Sequence, residues 1–314
     1  MFVEFIVLAA FAFVSSLLYI YVLFVILKHR ELRNAPFYTL NVVMGVIDLG
    51  SLWTDYLFHV LPHFGFLRSI FLPFVLHSPP AVLCTNGFAF FNTTQKFLLI
   101  FVSLNRFTAV VVPAHHNQIW SRRNCFFTIT SLLLLNVIPF VVIESITASY
   151  YKDKNDYLGG FSCKMTSKTI LTGSLYYNAY LSMVSALAVC LLYAVIIFSL
   201  YVNRKSITTA STSRRSTFNT ELKLTVSVLL HTALLVADGV TTAMVFVWNY
   251  RSSLLLNKII QDLLSCCNPY FLLFFSSSLR SKAFWFIKKP LLTAVTTSNR
   301  LSVVQGAPVE QLAR

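Results

Sequence analysis

The chain alternates long apolar stretches with short polar ones. Seven apolar stretches are near the twenty residues that carry a helix across a bilayer. They predict spans at about Phe5–Leu27, Phe37–Val60, Ala81–Leu104, Phe126–Ala148, Gly173–Tyr201, Leu222–Trp248 and Leu254–Ser276. The first stops at Lys28-His29-Arg30-Glu31. The second is entered through Pro36, a residue that suits a first helical position. A further apolar stretch, Phe64–Leu76, is too short to span and is interrupted by Pro73. It is expected to lie on the membrane interface as an outer loop. Arg106 follows Cys84 by 22 residues, roughly 33 Å of helix at about 1.5 Å per residue. The hydrocarbon slab is about 30 Å thick, so the two sit at opposite faces.

Composition agrees with a multi-span membrane protein. Hydrophobic residues make up 56% of the chain, charged residues 11%, and the mean hydropathy is +0.70. Soluble domains carry about 25% charged residues. The formal charge of +14 raises nucleic acid as a partner. The basic residues lie in loops between apolar runs, however, so the expected partner is the lipid bilayer and not nucleic acid. No hydrophilic segment is long enough to bury a core of its own. The chain reads as one polytopic domain over residues 1–290, followed by a disordered cytoplasmic tail over 291–314. No cleavable signal peptide is expected, because the apolar run begins almost at Met1 with no basic segment before it.

Loop charge gives the orientation. With the N-terminus outside, the inner segments hold seventeen Lys and Arg and the outer segments six. The expected fold class is therefore an all-α bundle of seven transmembrane helices, N-terminus outside and C-terminus cytoplasmic. Trp53, Trp120, Trp248 and Trp285 fall near span ends, where interfacial indoles belong. The third inner loop, Val202–Thr220, is rich in Ser, Thr, Arg and Lys and reads as mobile and solvated. Leu279–Lys289 mixes aromatic and basic residues and suits a short amphipathic helix on the inner leaflet. There is no internal repeat of the kind many transporters show.

The run Ser103-Leu104-Asn105-Arg106-Phe107 closes the third span and continues to Val112-Pro113 and Gln118-Ile119-Trp120. The last span carries Gln261-Asp262-Leu263-Leu264 and then Asn268-Pro269-Tyr270. With seven spans, these motifs resemble a G-protein-coupled receptor. They resemble most the nematode serpentine chemoreceptors of class gamma, with the related class v as near neighbour. The resemblance implies a chemosensory receptor in the plasma membrane of a sensory neuron. It would bind a small-molecule ligand and activate a heterotrimeric G protein. Departures from the wider receptor family are visible. Asn105 replaces the usual acid before the arginine, the first span has no asparagine, the fifth and sixth have no proline, and Leu272 stands where a tyrosine is usual.

The resemblance also assigns roles. Cys84 and Cys163 hold the two outer places that the wider family ties by a disulfide, and outer thiols oxidise; the alternative is two free thiols. Cys125, Cys190, Cys266 and Cys267 read as packing residues. Arg106, flanked by Asn105 and Phe107, is either a topology anchor or the arginine that meets the G protein. In the second reading its resting partner is Glu221, the acid left at the inner foot of the sixth span. Ligand-pocket candidates are Phe88, Asn92, Tyr176, Tyr177, Tyr180, Asp238, Thr242, Phe246, Lys258 and Asp262. Lys258 and Asp262 share a helix face and read as an ion pair or as direct ligand contacts. Asn92-Thr93-Thr94 matches a glycosylation pattern but lies inside the third span.

A polar switch is expected near the midplane, from Asp48, Gln95, Lys96, Asn268, Pro269 and Tyr270. In the wider family the acid at the place of Asp48 holds a sodium ion. Here Lys96 lies at a similar depth. It is expected to pair with Asp48 and replace the ion, making activity insensitive to sodium, or else to snorkel toward the headgroups. No cofactor and no metal site is expected, and no His-Glu-x-x-His, paired-aspartate or Gly-rich serine motif suggests an enzyme. A transporter or channel for a small solute is the competing function.

Overall fold

The computed structural model describes residues 2–63, 87–144, 148–152, 161–165, 168–207, 212–248 and 251–284. Seven helices of twenty residues or more are found among them: α1 (Phe2–Lys28), α2 (Pro36–Asp55), α3 (Phe88–Val111), α4 (Arg122–Glu144), α5 (Lys168–Ile207), α6 (Thr212–Trp248) and α7 (Arg251–Phe275). They pack as a closed bundle. α1 lies against α2, α2 against α3, α5 against α6 and α6 against α7, α7 returns to α1, and α3 runs between α2, α4 and α5. By apolar length alone, Glu4–Lys28, Tyr176–Val202 and Thr225–Val245 are fit to cross a membrane. In α2, α3 and α7 the apolar pattern is broken by polar residues, and these are buried: Asn41, Asp48 and Asp55; Asn92, Gln95 and Lys96; Asp262 and Asn268.

Local chemistry sets the boundaries. Pro36 is the first residue of α2. α3 ends at Val112, whose backbone leaves the helical region because Pro113 follows. Ser276 turns the chain by 91° out of α7 and caps α8 (Ser277–Ala283), accepting a hydrogen bond from the Leu279 amide. α8 is held to the bundle at two points. Tyr21 Oη donates to the Ala283 carbonyl at 2.5 Å, and Tyr38 Oη meets Ser276 Oγ at 2.7 Å. Apolar contacts then fill the end of the bundle next to α8, with Val22, Ile26, Leu40, Val102, Leu272 and Leu279 in one cluster.

Several expectations change. After Asp55, α2 continues through a π-helical turn over Tyr56–Val60. The fourth span ends at Glu144, not at Ala148, because Ala148–Lys152 (β1) pairs antiparallel with Phe161–Met165 (β2). The fold is thus α-helical with one hairpin. Its Ser-Tyr-Tyr run, just past the predicted span, has residues that favour a strand. The third inner loop is not a solvated coil at its described ends, where α5 runs on to Ile207 and α6 starts at Thr212. No Gly or Pro interrupts that stretch, and Arg and Lys are good helix formers. At 40 residues, α5 is roughly 60 Å long, about twice the hydrocarbon thickness. Trp120 is buried and not interfacial, and its Nε1 donates to Thr108 Oγ1 at 2.8 Å. The stretches 64–76 and 291–314 lie outside the described residues.

Candidate functional site

Asp48 on α2 is a fully buried carboxylate. Both of its oxygens are occupied. Tyr19 Oη of α1 donates to one, and Gln95 Nε2 of α3 donates to the other at 2.7 Å. Asn268 Nδ2 of α7 donates to the same Tyr19 oxygen at 2.7 Å. Four helices therefore meet through one network. Gly45 makes room for it: a Cβ built there would stand 2.6 Å from Cε1 of Tyr19. The sequence places Asp48, Gln95 and Asn268 at matching depth. It does not reveal Tyr19, because a tyrosine in an apolar run looks like packing.

Lys96 does not pair with Asp48. Neighbouring helical residues point about 100° apart, so Gln95 and Lys96 cannot serve the same partner. Lys96 turns to the α5–α6 side. Its ammonium lies 3.5 Å from Asp238 Oδ2, 3.2 Å from Asn178 Oδ1 and 3.4 Å from the Asn178 carbonyl. Lys96 and Asp238 are both 1% exposed, so snorkelling is ruled out as well. Ser182 Oγ donates to Asp238 Oδ2 at 2.9 Å. The sodium insensitivity argued from a Lys96–Asp48 pair loses its basis with it.

A second lysine is held more tightly. Lys258 on α7 bridges two carboxylates, Asp55 on α2 and Asp262 Oδ1 on its own helix, the latter at 2.6 Å. The ion-pair reading of Lys258 and Asp262 is therefore the geometry found. Tyr56 Oη donates to Asp262 Oδ2 at 2.8 Å, and the Tyr56 ring lies 4.2 Å below the ammonium. The His59 ring approaches Asp55 at 3.3 Å. The π-helical turn brings Tyr56 into this cluster, as such turns do at polar sites. Asp55, Tyr56 and His59 had no signal in the sequence beyond being polar near a span end. On the far side of Lys258, Thr241 and Thr242 of α6 donate to Asn257 Oδ1 at 2.9 and 3.2 Å.

At the foot of α3, the Arg106 guanidinium stacks 3.5 Å from the centre of the Phe37 ring. α3 runs five residues past Arg106, so the arginine sits inside the helix and not at its end. Thr108 receives Trp120 Nε1 and meets His116 Nδ1 at 3.0 Å, which ties the short Pro113–Ile119 helix to α3. Between this foot and the Asp48 network a void of about 20 Å³ remains, lined by Phe37, Asn41, Ser227, His231 and Asn268 among others. It has room for one water. Among the described residues, His231 Nε2 has no hydrogen-bond partner.

The remaining candidates divide. Asn92, Asp238 and Thr242 are buried inside the bundle. Tyr176, Tyr177 and Tyr180 are 53–70% exposed on the outside of α5 and do not line a pocket. The helical period turns Asn178, Leu181, Ser182 and Ser185 inward instead. Tyr270 faces α1, with its Oη 3.0 Å from Ser15 Oγ, and Pro269 lies within α7. The side chains of Phe88, Phe246, Glu221 and Cys163, and all of Cys84, lie outside the described residues. So do the Arg106–Glu221 contact and the disulfide.

Similarity to known proteins gives the family. Residues 8–289 match the family model of the serpentine type 7TM GPCR chemoreceptor Srv. Two curated proteins of Caenorhabditis elegans are similar. Serpentine receptor class V-1 is 28% identical over 137 residues, 44% of this chain and 42% of that protein. Serpentine receptor class gamma-9 is 27% identical over 165 residues, 51% of this chain and 47% of that protein. The chain spans less than half the length of the curated relatives it matches. Both classes that the sequence resembles are present among them, and the family is one of receptors, not enzymes. Because the match covers the bundle from α1 to beyond α8, this chain belongs to the serpentine seven-transmembrane G-protein-coupled chemoreceptor family Srv.

Proposed function

We propose that this protein is a chemosensory receptor of the plasma membrane, in a sensory neuron, with its N-terminus outside. A small molecule enters among the outer halves of α3, α5, α6 and α7. The inner face then opens to a heterotrimeric G protein, which Asn105, Arg106 and Phe107 meet, with Glu221 as the resting partner of Arg106. Cys84 and Cys163 tie the outer end of α3 to the hairpin. Ligand binding need only favour one of two states that already exist.

The observation that carries this reading is the void between the Asp48 network and the Arg106–Phe37 contact. It is bounded by α2, α3, α6 and α7. Packed interiors resist gradual deformation, so helices shift where a gap and an unmade hydrogen bond already exist. His231 on α6 supplies that unmade bond. The test is expression in cells carrying a promiscuous G-protein reporter, exposed to a panel of small volatile and water-soluble compounds. A compound-specific calcium response that Arg106→Ala abolishes, at equal surface expression, is the expected result. Uptake of a compound without signalling would instead make the chain a transporter.

A further inference from the structure

A groove of about 550 Å³ lies on the outside of the bundle where α6, α7 and α8 meet. Its walls include Leu230 of α6, Tyr270, Phe271 and Phe274 of α7, and Phe284 just after α8. Leu230, Tyr270, Phe274 and Phe284 are exposed, so this apolar surface is turned away from the core. Phe274 and Phe275 pack edge to face at 4.9 Å, which stiffens the wall that α7 supplies. Arg280 of α8 is the one charged residue among those that line the groove. It stands where α7 stops at Phe275 and the chain turns by 91°. The groove is thus apolar along the last turns of the final span and basic where that span ends, the level at which lipid headgroups begin.

We propose that this groove holds an acidic phospholipid, its phosphate on Arg280 and one acyl chain laid along α6 and α7. Charge selects the headgroup. Among the described residues Arg280 has no carboxylate partner, whereas Lys282 on the same short helix is paired with Glu31 at 3.2 Å. A lipid of net negative charge balances Arg280; a zwitterionic lipid already carries its own ammonium. Arg280 is also held in place, because its Nη1 donates to the Phe274 carbonyl at 2.6 Å. A guanidinium has five donors in a planar fork, so others stay open to a phosphate. Chemistry selects the apolar body as well. The other polar side chain in the lining, Tyr270, has its hydroxyl 3.0 Å from Ser15 Oγ and so is already engaged. The volume lies within the roughly 300–1,000 Å³ of sites for small organic molecules. The groove starts at Tyr270, five residues before the end of α7, where lipid is the surrounding medium and a soluble partner has no access. Because α6 forms one wall and α7 with α8 the other, the bound chain touches both.

The test uses the full chain purified in a neutral detergent, with its thermal unfolding midpoint followed against three probes: dioctanoyl phosphatidylglycerol, dioctanoyl phosphatidylcholine and inorganic phosphate. The first two share their chains and differ in net charge. Phosphatidylglycerol is expected to raise the midpoint at about tenfold lower concentration than phosphatidylcholine, the worth of one charged hydrogen bond. Inorganic phosphate, which brings no chain, should match neither lipid. Arg280→Gln should erase the preference, while Lys282→Gln, which removes the same charge from the same helix, should keep it. Should Arg280→Gln fail to fold, Leu230→Trp fills the groove from α6 without touching α8 and should erase the preference too. Equal effects of the two lipids overturn the proposal. So does a preference that survives Arg280→Gln or Leu230→Trp, or one that Lys282→Gln erases as well, which would make it diffuse attraction to a basic surface. A phosphate effect equal to that of phosphatidylglycerol would make the site one for a free anion and overturn the lipid. No shift with either lipid, as when the chain's own tail or a second copy covers the groove, overturns it also.

Discussion

Among the described residues, two lysines turned into the bundle, Lys96 and Lys258, are held in opposite ways. Lys258 sits between two carboxylates from α2 and α7, over the face of Tyr56. Lys96 has one carboxylate at 3.5 Å and an asparagine at 3.2 Å, all longer than a good charged hydrogen bond. Desolvation is severe at both sites, so the difference lies in compensation. The Lys258 cluster has every described oxygen near the ammonium in use. The Lys96 pair leaves Asp238 Oδ1 open. One site is a clamp between helices, and the other is an ion pair with spare capacity. One side-chain type is thus fully compensated at one site and partly compensated at the other.

The largest test of this contrast is Lys258→Met. It leaves Asp55 and Asp262 facing each other with no ammonium between them. The expected cost is about 3–5 kcal/mol, seen as loss of surface expression and a lowered unfolding midpoint in detergent. Normal expression of this variant would end the clamp reading. Lys96→Met should cost less, about 2–3 kcal/mol, because its contacts are long and Ser182 still serves Asp238. Adding Asp238→Leu should restore most of that loss. A double variant as poor as Lys96→Met alone would show that the pair is not the unit that matters. Tyr19→Phe removes the hydroxyl that donates to Asp48 and accepts from Asn268, with an expected cost of about 1–2 kcal/mol in the same unfolding assay. A larger loss than for Lys96→Met would move the weight of the bundle to the Asp48 network. Trp120→Phe is the smallest change. It deletes the hydrogen bond to Thr108 and should cost about 0.6 kcal/mol, typical of polar contacts in membrane proteins. A loss of signalling with unchanged midpoint would give Trp120 a role in coupling.

Depth along the membrane was legible in the sequence, and direction around each helix was not. Counting residues from the span ends sets Asp48, Gln95, Lys96 and Asn268 at one level, and three of them do share a network. Lys96 departs because azimuth, not depth, chooses its partner, and one residue along a helix changes that by about 100°. Tyr176, Tyr177 and Tyr180 fail for the same reason. Tyr19 and Tyr56 were hidden by chemistry. A phenol counts as apolar in a span search, yet its hydroxyl is the donor that buried carboxylates lack. The hairpin and the long ends of α5 and α6 were hidden by composition, since short strands between spans and Ser- and Arg-rich helices both look like loop.

The adjacency of Gln95 and Lys96 has a mechanical consequence. One residue reaches across to α1, α2 and α7 through Asp48 and Tyr19. The next reaches the other way, to α5 and α6. α3 is therefore an axle with a spoke fixed in each half of the bundle. The two halves of the bundle are thus joined through consecutive residues of one helix, and any displacement of α5 and α6 relative to α7 has to strain or break one of these two polar links.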